Sequence, residues 1–447
     1  MALDILIGMA LVLGVMILIH ELGHFIVARL CGVRVDVFSI GFGPRLFGWK
    51  RGATDYRVSA LPLGGYVRMA GQDLSEIDSN DVAPTGGPDE LMSKPRWKRA
   101  LISFAGPAVN LIFPVILLSG FFVIVGMPYP AYLDKPVQVM AVPSNSSSGP
   151  DSLRPGDVIT SINGVKTPNW GAAEQVLKQL PPGEKLRLEV VNNGNRRELV
   201  EALSKGPLQV DRPLGYLPIA PVIDDVEPGK PAQRAGIRED DVIVSVNGQK
   251  VQVWDQFVEW VRGSNGKPLE LEIERKGQVL HKTITPVQGL SESGETVYQI
   301  GVSQREEIAY KHVPLKQSLR EASLYSLDFI EKTAGVVGKL FSGRVSVRQL
   351  QTVVGISRAA GHAVHRGPLS VILLMSFMSV NLGILNLLPI PILDGGNILL
   401  LTLEGIRRRD FSMAFKERFV QVGLVFLLVL FAYVMYNDVV RLLPVHS

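Results

Sequence analysis

Four long apolar runs punctuate the chain, at residues 3–28, 101–127, 369–388 and 419–436. Each is about the 20 residues that cross a bilayer core, so the pattern predicts four transmembrane helices. The first run also has the length of a signal peptide. It lacks a basic leading segment and a small-residue cleavage site, so a retained span is expected. Between the second and third runs lie about 240 residues of strand-like alternation broken by turn residues. From Leu315 to Phe341 the period lengthens, with Leu315, Leu319, Leu324, Leu327, Ile330 and Leu340 set among charged residues. That spacing predicts an amphipathic helix, either lying on the membrane surface or packed against the neighbouring β domain.

The middle region repeats itself. Asp157-Val158-Ile159-Thr160-Ser161-Ile162-Asn163-Gly164 recurs, a domain length later, as Asp241-Val242-Ile243-Val244-Ser245-Val246-Asn247-Gly248. So long a period indicates a duplicated domain rather than a solenoid. Each copy alternates and then turns at Asn-Gly, a hairpin signal. These features, above all Ala235 to Gly248, resemble circularly permuted bacterial PDZ domains. The resemblance implies that Leu214-Gly215-Tyr216 and Ile300-Gly301-Val302 offer backbone N–H groups to a peptide C-terminus, with Gly215 and Gly301 as candidate binding positions. The alternative is an ordinary strand start with a glycine bulge. The first copy's loop region, Ser144 to Pro150, departs from the peptide-binding pattern.

Composition agrees with a membrane protein carrying polar domains. Hydrophobic residues make up 47% of the chain and charged residues 20%, with a mean hydropathy of +0.22. The net charge of +4 matters through its placement. Arg29 and Arg34 follow the first span, Lys94, Arg96, Lys98 and Arg99 precede the second, and Arg407, Arg408, Arg409, Lys416 and Arg418 fill the connection from the third to the fourth. By the positive-inside rule these connections are cytoplasmic, and the middle region and both termini lie outside. The basic residues are thus a topology signal, and no nucleic-acid partner is expected. The single cysteine, Cys31, forms no intrachain disulfide, so the outer domains depend on ordinary cores.

The chemistry sits in the first span, at His20-Glu21-Leu22-Gly23-His24. Ionisable groups at membrane depth cost about 2.5–3.5 kcal/mol each, so three together are expected to be used. Positions four apart share a helix face, so His20 and His24 can grip one metal. Glu21 lies about 100° round the helix from His20, placed to act on a water held there without being a ligand. A catalytic zinc needs a third protein donor at the same depth. His362 and His365 precede the third span and read as interfacial polar residues. Asp394 follows an uncharged run, after Pro389 and Pro391 and before Gly395-Gly396, where broken backbone can line a polar cavity. It is either the third donor or a helix cap.

Together, the His-Glu motif, Asn381-Leu382-x-x-x-Asn386-x-x-Pro389 and Leu393-Asp394-Gly395-Gly396 resemble the site-2 protease family of intramembrane zinc metalloproteases. The resemblance covers essentially the whole chain. It implies that Asp394 completes a Zn2+ site with His20 and His24. It implies Glu21 as the catalytic base, Asn386 as a group that holds substrate or polarises the scissile carbonyl, and Asn381 in the same polar seam. Gly106-Pro107-x-x-Asn110 matches a family motif packed against the metal. Phe38 to Pro44 and Leu61 to Val67 resemble the family's membrane-associated β-hairpin, where Gly43 and Gly65 are candidate substrate contacts. Asn397 departs from the pattern, many relatives having His there.

The expected fold is multi-domain: an α-helical membrane domain of four spans with that β-hairpin, and two tandem PDZ-like α+β domains between helices two and three. The boundaries expected are 1–126 for the N-terminal membrane half, 127–220 and 221–306 for the PDZ-like domains, 307–366 for a helical linker and 367–447 for the C-terminal membrane half. The implied location is a bacterial inner membrane. The implied partners, besides lipid, are single-span membrane proteins already trimmed on the outer side, such as anti-sigma factors and remnant signal peptides, and peptide C-termini at the PDZ-like loops. A non-hydrolytic PDZ scaffold with a structural metal would make Glu21 dispensable. A metal transporter would need further acidic residues in the spans, and residues 367–393 contain none.

Overall fold

The computed structural model describes residues 2–71, 86–142, 152–181, 184–202, 214–227, 229–290, 296–342 and 353–442. Ser144 to Pro150 thus lies outside the described residues. The chain divides into two compact units: Met1–Met127 with His312–Ser447, and Pro128–Lys311.

The first unit opens with helix α1 (Ala2–Leu30), whose length and largely apolar sequence fit a span. A long hairpin follows, β1 (Val35–Arg51) and β2 (Thr54–Met69), before helix α2 (Arg96–Ile124). The hairpin is folded on itself. Residues 37–40 pair with 55–58 on one side and with 65–68 on the other. Among the described residues, strand pairing of Gly65 to Val67 is to β1, on one side. Gly41 has φ +91°, and a Cβ there would lie 2.7 Å from the Leu61 carbonyl oxygen, so the fold-back requires glycine.

The second unit contains the repeat. It begins with β3 (Met127–Pro130) and then runs β4 (Val158–Ile162), β5 (Val165–Lys166), α3 (Trp170–Gln179), β6 (Lys185–Asn192) and β7 (Asn195–Ala202). After β8 (Ile223–Val226) and the short α4 (Pro231–Arg234), the same order returns as β9 (Val242–Val246), β10 (Gln249–Lys250), α5 (Trp254–Gly263), β11 (Leu269–Arg275) and β12 (Gln278–Ile284). The sheet orders correspond, β5-β4-β6-β7 and β10-β9-β11-β12. Asn163 and Gly164 have φ +50° and +78°, and Asn247 and Gly248 have +50° and +77°, the left-handed pair that a tight hairpin turn needs. Each sheet packs its helix over its own apolar core, around Ile159, Trp170 and Leu188 in one copy and Ile243, Phe257 and Ile273 in the other. Three short strands, β13 (Val287–Leu290), β14 (Thr296–Gln299) and β15 (Val302–Gln304), precede β16 (Ile308–Lys311), which pairs with β3 and closes the unit where it began.

The repeated aspartate has a structural task. Asp157 is fully buried and accepts from Arg197 at 2.7 Å, from Asn192 and from the Arg154 backbone N–H. Asp241 repeats the arrangement with Arg275 at 2.6 Å and the Arg238 N–H. Removing one partner of such a pair leaves a buried charge uncompensated. Asp241→Ala is therefore expected to cost about 3 kcal/mol locally, read as lost hydrogen-exchange protection across β9 and β11 with β4 and β6 unaffected.

Helices α6 (Leu315–Phe341), α7 (Val353–Arg366), α8 (Pro368–Asn386), α9 (Asp394–Arg407) and α10 (Met413–Leu442) complete the first unit. Among the described residues, Val12–Leu30, α2 and α8 are long and apolar enough to cross a membrane. The apolar run 419–436 lies within α10. Within the first unit, α6 packs against α2 and α8. Ala322 joins the cluster of Leu118, Phe121 and Phe122, and Phe329 meets Phe377 edge to face at 5.7 Å. Ala360 of α7 joins Val12, Met16 and Met375. The short basic connection read between the third and fourth spans is longer and partly helical, with α9 at its centre. Glu404 on α9 is buried, pairs with Lys416 at 2.9 Å and accepts the Phe411 N–H at 2.9 Å, closing the turn into α10.

Candidate metal centre

Helical spacing sets His20 and His24 on one face of α1, both buried. Asp394 arrives from the far end of the sequence. Helix α8 stops at Asn386, and the turn through Pro389 and Pro391 reverses the chain so that Asp394 begins α9. The reversal is tight. A Cβ on Gly395 would lie 2.3 Å from the carbonyl oxygens of Leu387 and Leu388, and one on Gly396 would lie 2.2 Å from that of Ile390. Ile392 has φ +79°, a left-handed conformation that a β-branched residue rarely adopts. Strain two residues before Asp394 persists only because the surroundings enforce it. Gly423 of α10 seats against Pro391 from the other side.

The three donors converge. His20 Nε2 lies 3.2 Å from His24 Nε2 and 3.2 Å from an Asp394 carboxylate oxygen, which is 3.5 Å from His24 Nε2. Among the described residues this is the grouping of three such donors within 4.8 Å of one another. Two nitrogen lone pairs and a carboxylate facing one point repel unless a cation sits between them. The outer hydrogen bonds fix that arrangement. His24 Nδ1 donates to the Ile102 carbonyl at 2.7 Å, which leaves Nε2 unprotonated and pointing inward. His20 Nδ1 lies 3.2 Å from the Asn110 side-chain nitrogen, while Asn110 Oδ1 is buried with no partner. Turning that amide by half a rotation lets Oδ1 accept the Nδ1 proton and satisfies both groups. The donor set and its outer shell fit zinc. Asn110→Ala is expected to weaken zinc binding about 10- to 100-fold, measured by competition with a chelating dye.

Helix α2 is shaped around the imidazoles. A Cβ on Gly106 would lie 2.3 Å from His24 Nε2 and 2.8 Å from His20 Cε1, and one on Gly23 would lie 2.6 Å from the Ala105 carbonyl oxygen. Pro114 has no N–H for the Asn110 carbonyl, which accepts instead from Ser379 Oγ of α8 at 2.8 Å. The same residue thus ties α1 through its side chain and α8 through its backbone.

Glu21 stands beside the donors and against the hairpin edge. A Cβ on Gly65 would lie 3.5 Å from Glu21 Cγ. Asn386 brings its side-chain nitrogen to 3.3 Å from His20 Nε2. The other sequence candidates sit elsewhere. Asn381 accepts from Thr333 of α6 at 2.6 Å. Gly43 is exposed on the hairpin with φ +85°. Gly215 is buried with φ +84°, and the neighbouring Tyr216 N–H is committed to the Ala141 carbonyl at 3.1 Å. Gly301, also in the left-handed region, packs on Lys230 and Glu227. His362 and His365 are exposed on α7, outside the cluster. Sequence reasoning missed the Ile102 carbonyl, for which a backbone group leaves no signal, and Ser379, for which Pro114 four residues after Asn110 is one.

A His-x-x-x-His face and an adjacent glutamate on a membrane-length helix, met by a distant aspartate, define a metallopeptidase embedded in a membrane. The chain matches Peptidase family M50 over residues 8–430 and belongs to that family, the site-2 proteases. It is 34% identical over 450 residues to the regulator of sigma-E protease RseP of Salmonella typhimurium (strain 14028s), covering 96% of this chain and 97% of the relative. With the regulator of sigma-E protease RseP of Escherichia coli K12 it shares 33% over 451 residues, again 96% and 97%. A Vibrio cholerae protein whose name carries zinc metalloprotease is 29% identical over 457 residues, 98% of each. The solved PDZ domain of an SdrC-like protein from Listeria monocytogenes aligns over 20% of this chain and 90% of its own at 13% identity, with a TM-score of 0.17. The protein is a membrane metalloprotease.

Proposed function

We propose that the chain hydrolyses peptide bonds within or at the edge of a membrane span of single-span proteins, as a bacterial inner-membrane enzyme of regulated intramembrane proteolysis. The observation that carries this reading is the meeting of His20, His24 and Asp394 within 4.8 Å beside Glu21 on a span-length helix. Zinc held by those three donors would supply Lewis-acid polarisation of water and of the peptide carbonyl. Glu21 takes the proton of the attacking water and delivers it to the leaving nitrogen. Asn386 donates its amide N–H to the carbonyl oxygen as charge develops there. A helical span hides its carbonyls in its own hydrogen bonds, so it must be extended first. The edge from Gly65 to Val67, beside Glu21, suits an added substrate strand.

The basic flanks support a topology with both termini and the PDZ-like unit outside the cytoplasm. That unit acts as a size gate, admitting substrates already trimmed outside. The commitment of the Tyr216 N–H within the chain favours this over capture of a peptide C-terminus at the first loop. Cleavage of one reconstituted single-span protein in long and trimmed forms tests the reading. The trimmed form is expected to be cut, chelation to stop cleavage and zinc to restore it. Replacing residues 128–311 with a short linker, feasible because β3 and β16 pair, is expected to release cleavage of the long form. Chelator-resistant cleavage would discard the metal chemistry. Equal cutting of both forms by the intact chain would discard the gate.

A further inference from the structure

A cavity of about 540 Å³ opens between the last turns of α1 and the turn that joins β1 to β2. Phe25, Ile26, Arg29, Leu30, Arg51 and Tyr56 line it. Arg29 lies about 140° round the helix from His24, so this is not the metal face. Its chemistry is two-sided. On one side are two guanidinium groups. Arg29 leans over the Phe25 ring at 5.7 Å and reaches the Thr54 hydroxyl at 3.4 Å, and neither it nor Arg51 meets a carboxylate among the described residues. The acids of the hairpin are already engaged, Asp36 by Arg34 at 3.0 Å and Asp55 by Arg45 at 3.2 Å. On the other side are apolar groups open to the surroundings: Leu30 is 80% exposed and Ile26 46%, with Trp49 close by at 63% and stacked on Tyr56. In water such a combination would be costly. At a bilayer interface it matches a molecule with a phosphate at one end and hydrocarbon at the other.

We infer that this cavity binds an anionic phospholipid, with the headgroup phosphate between Arg29 and Arg51 and an acyl chain along Ile26 and Leu30. The inference rests on reading α1 as a membrane span whose Arg29 end lies at the cytoplasmic interface. A planar guanidinium pair favours phosphate over a zwitterionic surface as a whole, because no neighbouring carboxylate cancels its charge. Tyr56 and Phe25 close the inner wall without adding charge. A lipid held there would brace the β1–β2 turn against α1, with Arg29 about two turns beyond Glu21 on the same helix.

Lipid retention by the purified full chain, followed by native mass spectrometry in detergent, tests this without reference to proteolysis. With phosphatidylglycerol, the protein is expected to keep one tight adduct. Each of Arg29→Gln and Arg51→Gln should weaken it about fivefold, and the double variant about 25-fold, on the scale of one basic residue at an anionic surface. Arg51→Lys should retain most of the binding, and phosphatidylcholine should show no dependence on either arginine. Arg51 lies in the hairpin turn with no described side-chain contact, so Arg51→Gln decides the matter if Arg29→Gln misfolds. Equal phosphatidylglycerol retention by native and Arg51→Gln protein would overturn the proposal. So would displacement of the lipid by millimolar inorganic phosphate or glycerol phosphate, which would make the cavity a free-phosphate site.

Discussion

Glu21→Gln is expected to leave zinc content near one per chain and to lower hydrolysis by at least about 100-fold, the scale of a lost general base. Gln has the size of Glu, so its packing between α1 and Gly65 of the hairpin would survive. His20, His24 and Asp394 keep their outer hydrogen bonds, because none of those passes through Glu21. The one property removed is the ability to take a proton. Metal analysis on the purified variant, beside cleavage of a trimmed single-span substrate, separates the two roles. Near-native cleavage with full metal would remove Glu21 from the chemistry and revive the scaffold reading, in which this glutamate is dispensable. Loss of both metal and activity would make it a structural residue of the site.

How much of this arrangement is legible in the sequence depends on the range of each signal. Spacing along one helix is local, and His20 and His24 can be paired from it. The Asn-Gly turns are local as well, and both have the left-handed backbone that their residues favour. Asp394 is not local. Nothing in periodicity joins it to α1, and only its depth after an uncharged run, with the resemblance, singles it out. The basic cluster around Arg407 reads as loop because charge dominates the window. Yet the segment before it is helical, with Leu400 buried and Glu404 neutralised by Lys416, a partner twelve residues on. Helix α6 is legible as an amphipathic helix, but its partners are not: Ser318 and Thr333 use their backbone and hydroxyl groups to meet Ser119 and Asn381 on apolar helices. Polar contacts of that kind hold helices together inside a membrane and are indistinguishable, in sequence, from solvation.

Gly106→Ala is expected to be as damaging as loss of a ligand, although the added methyl is apolar and helix-favouring. In an open helix, glycine to alanine stabilises by about 1 kcal/mol. Here the new Cβ would stand 2.3 Å from His24 Nε2 and 2.7 Å from His24 Cε1, well inside van der Waals contact. One of the two helices must then move by about 1 Å, or the imidazole must leave its rotamer and its bond to the Ile102 carbonyl. Neither adjustment is cheap, because Gly23 already touches the Ala105 carbonyl and Asn110 anchors α2 to both neighbours. Zinc content should fall at least tenfold and hydrolysis at least about 100-fold, the cost of misplacing reacting groups by that distance. Gly120→Ala is the control. It lies in the same helix with nothing within 4 Å of its Cβ position, and should leave metal and activity unchanged. Full zinc in Gly106→Ala would mean that α2 can retreat from α1 at no cost to the donors. The close packing of the two helices would then not be what aims His20 and His24 at Asp394.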